Sequence, residues 1–315
     1  MRLLSSDGAR DGDMRDVIIV GGGPAGLSAA LILGRCRRRV LLIDAGHPRN
    51  AVTPRMHGFL GRDGRAPGDL REEGRRELAA YDTVEIWDGR VVDAVRGPDG
   101  FRVVMEDQRR ADARRMILAT GLRTDLPAIE GFSEFWGRGV HHCPYCDGYE
   151  NRDRPLAVYG PGEAGKGAGM GLALELTAWS RDLTLCTDGP CDLDDAERDR
   201  LARQGIRIEE REVARLEGED GRFATVRLRD GDALACGALF FVTGPCIPSP
   251  LVERLGCDLT RKGTVPTGDY EETNVPGLYV AGDASRRVQL AIVAAAEGAM
   301  AAFAINTELL REDTR

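Results

Sequence analysis

Short apolar runs alternate with helical patterns over the first 120 residues. Val17–Val20 is an uninterrupted apolar run, which is typical of a strand buried in a parallel sheet. An alanine- and leucine-rich stretch predicts a helix from about Ala25 to Cys36, and a second apolar run, Val40–Ile43, completes a β–α–β unit. The pattern then predicts a charged helix and three further strands, at Asp69–Tyr81, Val91–Val95, Phe101–Met105 and Arg115–Leu118.

The same alternation starts again after Pro155. It predicts a strand at Leu156–Tyr159, a glycine-rich loop, a helix at Leu172–Trp179 and a second strand at Leu183–Cys186. Three more strands and a long alanine-rich helix follow, at Ala224–Leu228, Leu234–Val242, Leu278–Val280 and Gln289–Leu310. Two glycine-rich units in tandem predict an α/β fold with two Rossmann-like dinucleotide-binding domains, one nested in the other. We expect the outer domain to span 1–120 plus 245–315 and the inner domain 121–244.

Composition narrows the class of protein. The 315 residues carry a formal net charge of -8, which argues against a nucleic-acid-binding surface. The first sixteen residues lack the apolar core of a signal peptide, and we find no run of about 20 apolar residues that would span a bilayer. We therefore expect a cytoplasmic protein without a membrane segment. In a reducing compartment, a pair of cysteines with CxxC spacing indicates redox chemistry or metal binding.

A nucleotide-binding motif follows the first strand. Gly21–Gly26 matches GxGxxG, a strand precedes it, a helix follows it, and the next strand ends in Asp44. Gly21 permits the tight turn, Gly23 lets the backbone approach a pyrophosphate, and Gly26 allows the helix to pack closely on the strand. The free N–H groups of the helix N-terminus favour the phosphates, and Asp44 is suited to accept hydrogen bonds from the ribose.

The pair Cys143 and Cys146 is the most informative feature of the chain. Two cysteines at this spacing can close a small disulfide ring, in which one thiolate attacks a substrate disulfide and the other resolves the mixed disulfide. His141 and His142 are two of only four histidines, and Asp147 directly follows Cys146. Asp147 is positioned to shuttle the proton of the dithiol.

Other interpretations of this pair are weaker. A zinc site needs a second ligand pair at matching spacing, and Cys186 and Cys191 are five residues apart. A glutaredoxin-type site also uses Cys-Pro-Tyr-Cys, but near the start of a small fold, and a purely structural disulfide is uncommon in the cytoplasm. Cys186, Cys236 and Cys246 lie in or beside apolar strands, so we interpret them as small core residues.

In their order along the chain, these motifs resemble those of the low-molecular-weight thioredoxin reductase family. The resemblance runs from Asp16 to about Leu310 and includes an Ala-Thr-Gly signature at Ala119–Gly121 and a second FAD motif at Gly282–Asp283. It implies a homodimer with FAD, in which Cys146 lies against the flavin, Cys143 exchanges with the outside disulfide and Asp147 carries the proton. The cofactor-binding residues that it implies are Gly21, Gly23, Pro24, Ala25, Gly26, Asp44, Ala45, Arg49, Asn50, His57, Val91, Ala119, Thr120, Gly121, Gly282, Asp283, Gln289 and Leu290.

The inner domain departs from the family pattern. The glycine loop that begins at Gly160 continues to Gly171, longer and richer in glycine than the pattern, and glycine weakens a helix start. The following strand ends in Asp188 where an arginine cluster should hold the 2′-phosphate of NADPH, and no basic residue follows before Arg198. A P-loop match at Gly160–Lys166 lacks the Ser/Thr that binds magnesium, because Gly167 occupies that position.

A flavin dithiol enzyme without a nicotinamide donor can run towards oxidation. The stretch from Cys143 to Glu150 resembles the branch of the family that closes disulfides in sulfur-containing natural products. We therefore expect a dithiol oxidase that acts on a small dithiol, with oxygen as acceptor and no metal. The alternatives are a reductase that uses NAD(P)H and acts on a thioredoxin-like protein, and a non-catalytic FAD-binding electron-transfer module.

Overall fold

A computed structural model describes residues 14–162, 165–244, 247–285 and 288–315 of the chain. They form two compact units, each built from stretches that are separate in sequence. Unit 1 contains the described residues of Met1–Arg49, Gly68–Arg123 and Pro245–Arg315, and unit 2 those of Asn50–Pro67 and Thr124–Gly244. Residues 50–67, which we expected with the outer domain, pack with unit 2.

Unit 1 is organised around a seven-stranded sheet. Up to residue 123 its elements are β1 (Arg15–Val20), α1 (Pro24–Arg35), β2 (Val40–Asp44), α2 (Pro67–Leu78), β3 (Val84–Asp88), β4 (Val91–Arg96), β5 (Phe101–Met105), β6 (Arg110–Leu118) and β7 (Leu122–Arg123). A 3-10 turn (Arg49–Val52) begins at the last residue of the first segment of unit 1, and its other residues belong to unit 2. The strand order is β3-β2-β1-β6-β5-β4, parallel from β3 to β6 and antiparallel beyond it. The strands β1 and β2 are buried on both faces, which explains their continuous apolar runs.

Unit 2 contains a five-stranded parallel sheet and a smaller antiparallel one. Its elements are α3 (Phe132–Phe135), β8 (Val140–His141), α4 (Pro144–Asp147), β9 (Leu156–Tyr159), a π-helical turn (Gly165–Gly169), α5 (Met170–Leu176), β10 (Leu183–Cys186), α6 (Asp195–Arg203), β11 (Ile206–Glu209), β12 (Val213–Glu219), β13 (Arg222–Leu228), β14 (Ala233–Ala235) and β15 (Ala238–Phe241). The parallel sheet has the order β11-β10-β9-β15-β8, and the antiparallel sheet has the order β12-β13-β14.

Two predictions in unit 2 were wrong in detail. The single strand expected over Leu234–Val242 is two strands in different sheets, because β14 pairs with β13 whereas β15 pairs with β9 and β8. Gly237 lies between the two strands, where a side chain would not fit, because a Cβ there would be 2.4 Å from Nε of Arg154. The expected glycine loop turns helical at Gly165 and continues into α5; Glu163 and Ala164, and the side chain of Lys166, lie outside the described residues.

The chain returns to unit 1 for its last elements, which are β16 (Ile247–Pro248), α7 (Leu251–Arg254), β17 (Leu278–Val280) and α8 (Ala291–Asp313). Strand β17 joins the sheet parallel to β6, beside β5. By length and composition alone, α8 could span a membrane. Its alanine face is nevertheless buried against α1, where a Cβ on Gly298 would lie 1.9 Å from the carbonyl oxygen of Ala25.

Candidate active site

The two cysteines of the CxxC motif form a disulfide at the start of a short helix. Cys143 directly precedes α4, and Cys146 lies within it. The backbone N–H groups of Cys146 and Asp147 donate to the carbonyl of Cys143 at 3.1 and 3.2 Å, and Pro144 occupies the first helical position. Both cysteines are half-buried. This one-turn helix keeps the two sulfurs within bonding reach.

A histidine and a carboxylate flank the disulfide. Nδ1 of His141 lies 3.3 Å from Oδ1 of Asp147. The His141 side chain is buried beside Phe240, and the Asn151 amide donates to the backbone carbonyl of Asp147 at 2.8 Å, which fixes the end of α4. His142 instead lies against the ring of Trp136, with 5.4 Å between ring centroids. His141 and Asp147 are therefore a pair of ionisable side chains on the two sides of the dithiol in the sequence.

A cavity of about 390 Å³ lies beside this pair within unit 2. His141 and Asp147 contribute to its wall, and the predicted cofactor residue His57 lies there too. Nε2 of His57 is 3.6 Å from Glu150 and its Nδ1 is 3.6 Å from Asp63. The remaining lining residues are Thr53, Pro54, Arg55, Gly137, Arg138, Gly139, Asn151, Arg154, Arg222, Phe223 and Gly237. Sequence reasoning missed the arginines, because they come from segments that only the fold brings together.

In unit 1 the first glycine motif lies where the parallel strands end. Gly21 has a φ of +113°, and a Cβ there would be 2.2 Å from the carbonyl oxygen of Ala119. A Cβ on Gly26 would be 1.8 Å from the carbonyl oxygen of Gly21. These contacts exclude side chains and bring β1, α1 and β6 together. Gly23, by contrast, faces open space in front of the N-terminus of α1.

The carboxylate at the end of β2 is buried and paired. Asp44 accepts hydrogen bonds from the N–H of Gly46 at 3.0 Å and from Nη2 of Arg71 at 2.7 Å. Burial alone would raise the pKa of the Asp44 carboxyl, but the hydrogen bonds from Gly46 and Arg71 outweigh burial and lower it. The structure adds Arg71 and Arg75 of α2 to the surroundings of Asp44, and neither was predicted.

A second cluster of predicted residues forms in unit 1. Nη1 of Arg49 lies 3.2 Å from Oδ2 of Asp283 and also donates to Oε1 of Gln289. The N–H of Gly282 donates to the buried carboxylate of Glu297 at 2.6 Å, which fixes the turn that presents Asp283. Most of the other predicted cofactor residues also belong to unit 1, namely Pro24, Ala25, Ala45, Val91, Ala119, Thr120, Gly121 and Leu290, whereas Asn50 belongs to unit 2 with His57.

The carboxyl ends of β10 and β11 form an acidic edge. Asp188 accepts hydrogen bonds from the hydroxyl of Tyr159 and the N–H of Val213, both at 2.7 Å, so both its carboxylate oxygens bind protein groups. Glu209 ends the neighbouring strand, β11, and Glu210 directly follows it. The nearby arginines are already paired: Arg211 with Glu209, Asp230 and Asp232, and Arg198 with Glu210.

Two other cysteines of unit 2 are core residues. Cys186 and Cys236 are buried in the same apolar cluster. Burial raises the pKa of both thiols, that of Cys236 to about 12, so both remain protonated at neutral pH. Cys246 lies outside the described residues.

Comparison with known proteins decides the family. Residues 15–298 match the pyridine nucleotide-disulphide oxidoreductase model, which is most of the chain. The chain belongs to the pyridine nucleotide-disulphide oxidoreductase family. Membership confirms the predicted two-dinucleotide α/β fold and makes the protein an FAD-dependent oxidoreductase.

Relatives within the family are called thioredoxin reductases. The thioredoxin reductase tcpT of Claviceps purpurea (strain 20.1) is 30% identical over 312 residues, covering 94% of this chain and 95% of the relative. The solved structure of HlmI is similar with a TM-score of 0.90 and 38% identity, over 98% of this chain and 96% of that one. The solved structure of thioredoxin reductase from Streptococcus pyogenes MGAS5005 is similar with a TM-score of 0.85 and 25% identity, over 95% of this chain and 99% of that one. The resemblance found in the sequence is confirmed.

The family implies a flavin cofactor, and unit 1 fits one. The hydroxyl of Thr120 is buried without a hydrogen-bond partner in the described part of the chain, as expected of a group that awaits a ligand. The first turn of α1 carries no acidic side chain, and its N-terminal N–H groups open onto the space in front of Gly23. Asp44 stands at the end of β2, where a ribose is held in Rossmann-like folds.

Proposed function

We propose that the protein is an FAD-dependent dithiol oxidase that closes a disulfide in a small dithiol and delivers the electrons to oxygen. The observation that supports this direction is the acidic edge of unit 2. A 2′-phosphate beside Asp188, Glu209 and Glu210 would meet like charge, and the arginines nearby are held by carboxylates. A nicotinamide donor that carries this phosphate is therefore disfavoured.

The proposed reaction begins at the disulfide. A substrate thiolate attacks Sγ of Cys143, the Cys143–Cys146 bond breaks, and Cys146 leaves as a thiolate. The second substrate thiol attacks the mixed disulfide, which releases the product disulfide and frees Cys143. Each substrate thiol gives up one proton, and Asp147, paired with His141, passes both protons to the cysteine pair. One substrate disulfide is formed and one protein disulfide is reduced to two thiols.

Residues of unit 1 complete the proposal. Gly21–Gly26, Asp44 and Thr120 would hold the nucleotide part of FAD, and Asp283 would hold its ribityl chain. The chemistry that bound FAD supplies is acceptance of the electron pair from the dithiol and its transfer to oxygen, which yields hydrogen peroxide. The other partners in this proposal are a small dithiol and, as the resemblance implies, a second copy of the chain.

The alternative is the opposite direction of electron flow. The names of the curated relatives favour an NAD(P)H-dependent reductase that acts on a thioredoxin-like protein. Both directions use the same cysteines, and they differ in the donor that reduces the flavin.

Rapid mixing without oxygen distinguishes the two directions. The oxidised holoenzyme is mixed separately with dithiothreitol, NADPH and NADH while the visible flavin absorbance is followed. We expect rapid bleaching by the dithiol and negligible bleaching by NADPH, and then one hydrogen peroxide per disulfide when air is admitted. Cys143→Ser serves as the control and should abolish bleaching by the dithiol. Bleaching by NADPH at catalytic rates, followed by reduction of thioredoxin, would establish the reductase instead.

A further inference from the structure

The cavity beside the dithiol is unusually basic for this protein. Four of its lining residues are arginines, Arg55, Arg138, Arg154 and Arg222, although the chain as a whole has a formal net charge of -8. They lie far apart in the sequence, but all belong to unit 2. Because like charges repel, four guanidinium groups around one cavity indicate a site for negative charge.

These arginines are not neutralised by their surroundings. In the described ranges, no carboxylate lies within ion-pair distance of Arg55, Arg138 or Arg222, and the guanidinium of Arg154 contacts the Asn151 amide oxygen at 3.3 Å. Six other arginines of unit 2 pair with carboxylates, namely Arg198, Arg207, Arg211, Arg215, Arg227 and Arg229. The two carboxylates of the cavity wall, Asp147 and Glu150, each face a histidine instead.

The cavity is distinct from the nucleotide-type loop of the same unit. Its residues Gly139 and Gly237 directly precede β8 and β15, and Arg154 lies two residues before β9, so the cavity lies at the amino ends of these strands. The loop that begins at Gly160 follows the carboxyl end of β9. A strand of four residues is roughly 13 Å long. The cavity and the glycine loop therefore lie at opposite ends of the strands.

The cavity also reaches the helix that carries the disulfide, although neither cysteine lines it. Asp147 lines it, and the N–H of Asp147 donates to the carbonyl of Cys143 at 3.2 Å, one helical turn away. A volume of about 390 Å³ lies in the range of small-molecule sites and is too small for a folded protein. A small molecule therefore fits this cavity better than a protein does.

From these observations we infer that the cavity binds the substrate through a carboxylate, so that the preferred substrate is a small dithiol that carries a negative charge. Guanidinium groups bind carboxylates through paired, charge-assisted hydrogen bonds. Arg138 and Arg222 would hold the carboxylate while the dithiol meets Cys143. The inference rests on the proposed function for the redox step, and the recognition of the anion can be tested apart from it.

Two dithiols that differ in one group provide the test. Dihydrolipoic acid carries a carboxylate, and dihydrolipoamide carries a neutral amide in its place. With the holoenzyme in air, we expect kcat/KM for dihydrolipoic acid to exceed that for the amide by about tenfold or more. The double variant Arg138→Gln/Arg222→Gln should remove this preference. The control Arg203→Gln changes an exposed arginine of α6 outside the cavity and should keep it.

Binding is measured separately by calorimetry, with lipoic acid and lipoamide added to the oxidised holoenzyme. Preferential binding of lipoic acid that the double variant loses supports the inference even if neither dithiol is turned over, in which case the proposed function alone fails. Equal kcat/KM for the two dithiols together with equal or absent binding of the two disulfides overturns the inference, and the oxidase activity itself is then unaffected.

Discussion

At the residue scale, the proposed reaction gives the two cysteines different roles. Cys143→Ser should leave Cys146 as a thiolate against the bound flavin, and the variant should show a long-wavelength absorbance band. Cys146→Ser should lack this band, and both variants should lose dithiol turnover, since either change removes the disulfide. The exposed Cys36→Ser variant is the control and should behave as the wild type. Wild-type turnover in both the Cys143→Ser and the Cys146→Ser variants would show that the reaction does not use this disulfide.

The pairing of Asp44 with Arg71 predicts a dependence of stability on pH. The pKa of Asp44 is lowered in the folded protein, so its contribution to stability is present above the unfolded pKa of about 3.9 and is lost as pH falls through the lower folded value. We expect Arg71→Gln to lower the free energy of unfolding by about 1–3 kcal/mol at pH 7.

Urea denaturation of Arg71→Gln and wild type at a series of pH values measures this effect. The difference in free energy should shrink as the pH falls below about 3.9, where Asp44 of the unfolded chain is protonated, and vanish below the lower folded pKa, where Asp44 of the folded protein is protonated too. Arg76→Gln, an exposed position on the same helix, is the control and should leave stability nearly unchanged at every pH. A difference that stays constant down to acid pH would contradict the ion-pair explanation.

At the scale of elements, the contact between α1 and α8 depends on a glycine. A Cβ on Gly298 would lie 1.9 Å from the carbonyl oxygen of Ala25, so Gly298→Ala must push the helices apart. We expect a loss of about 1–3 kcal/mol in the free energy of unfolding and weaker flavin retention. Gly171→Ala is the matched control, because Gly171 lies in α5 with nothing within 4 Å of its Cβ. That change should be neutral or stabilising by up to about 1 kcal/mol. Equal effects of the two changes would refute the argument.

The same scale shows what the sequence could and could not reveal. Continuous apolar runs predicted the buried parallel strands correctly, because burial on both faces demands such runs. The helix α6 was missed although its capping box, Asp194 with Glu197, was readable in the sequence. The division of Leu234–Val242 was not readable, since strand partners chosen from distant parts of the chain decide which sheet each half joins.

At the scale of the whole molecule, local motifs and assembled sites differ in how far the sequence reveals them. The CxxC disulfide and the first glycine motif each span fewer than ten residues of sequence. Spacing alone therefore predicted that Cys143 and Cys146 could pair. The basic cavity draws Arg55, Arg138 and Arg222 from distant stretches. No local periodicity links such positions. The fold of residues 124–244 brings Arg138 and Arg222 to the cavity, and the packing of residues 50–67 with unit 2 adds Arg55.

Unit 1 should depend on its last helix. Removing residues 291–315 would expose the apolar face of α1, including Leu27 and Leu33, which packs against α8. We expect the shortened chain to aggregate and to lose flavin, as measured by soluble yield and flavin absorbance. Removing only Thr314 and Arg315 is the control and should change neither. A soluble, flavin-binding chain without α8 would show that the helix is dispensable.

Unit 1 also has a consequence for the order of events during synthesis. Arg38, just beyond α1, donates to Asp313 at 2.6 Å across 275 residues of sequence. A ribosome adds roughly 5–20 residues per second, so α8, which covers α1, is synthesised only tens of seconds after α1. During that interval the apolar face of α1 is exposed on the nascent chain. We therefore expect chaperones that bind nascent polypeptides to bind this one.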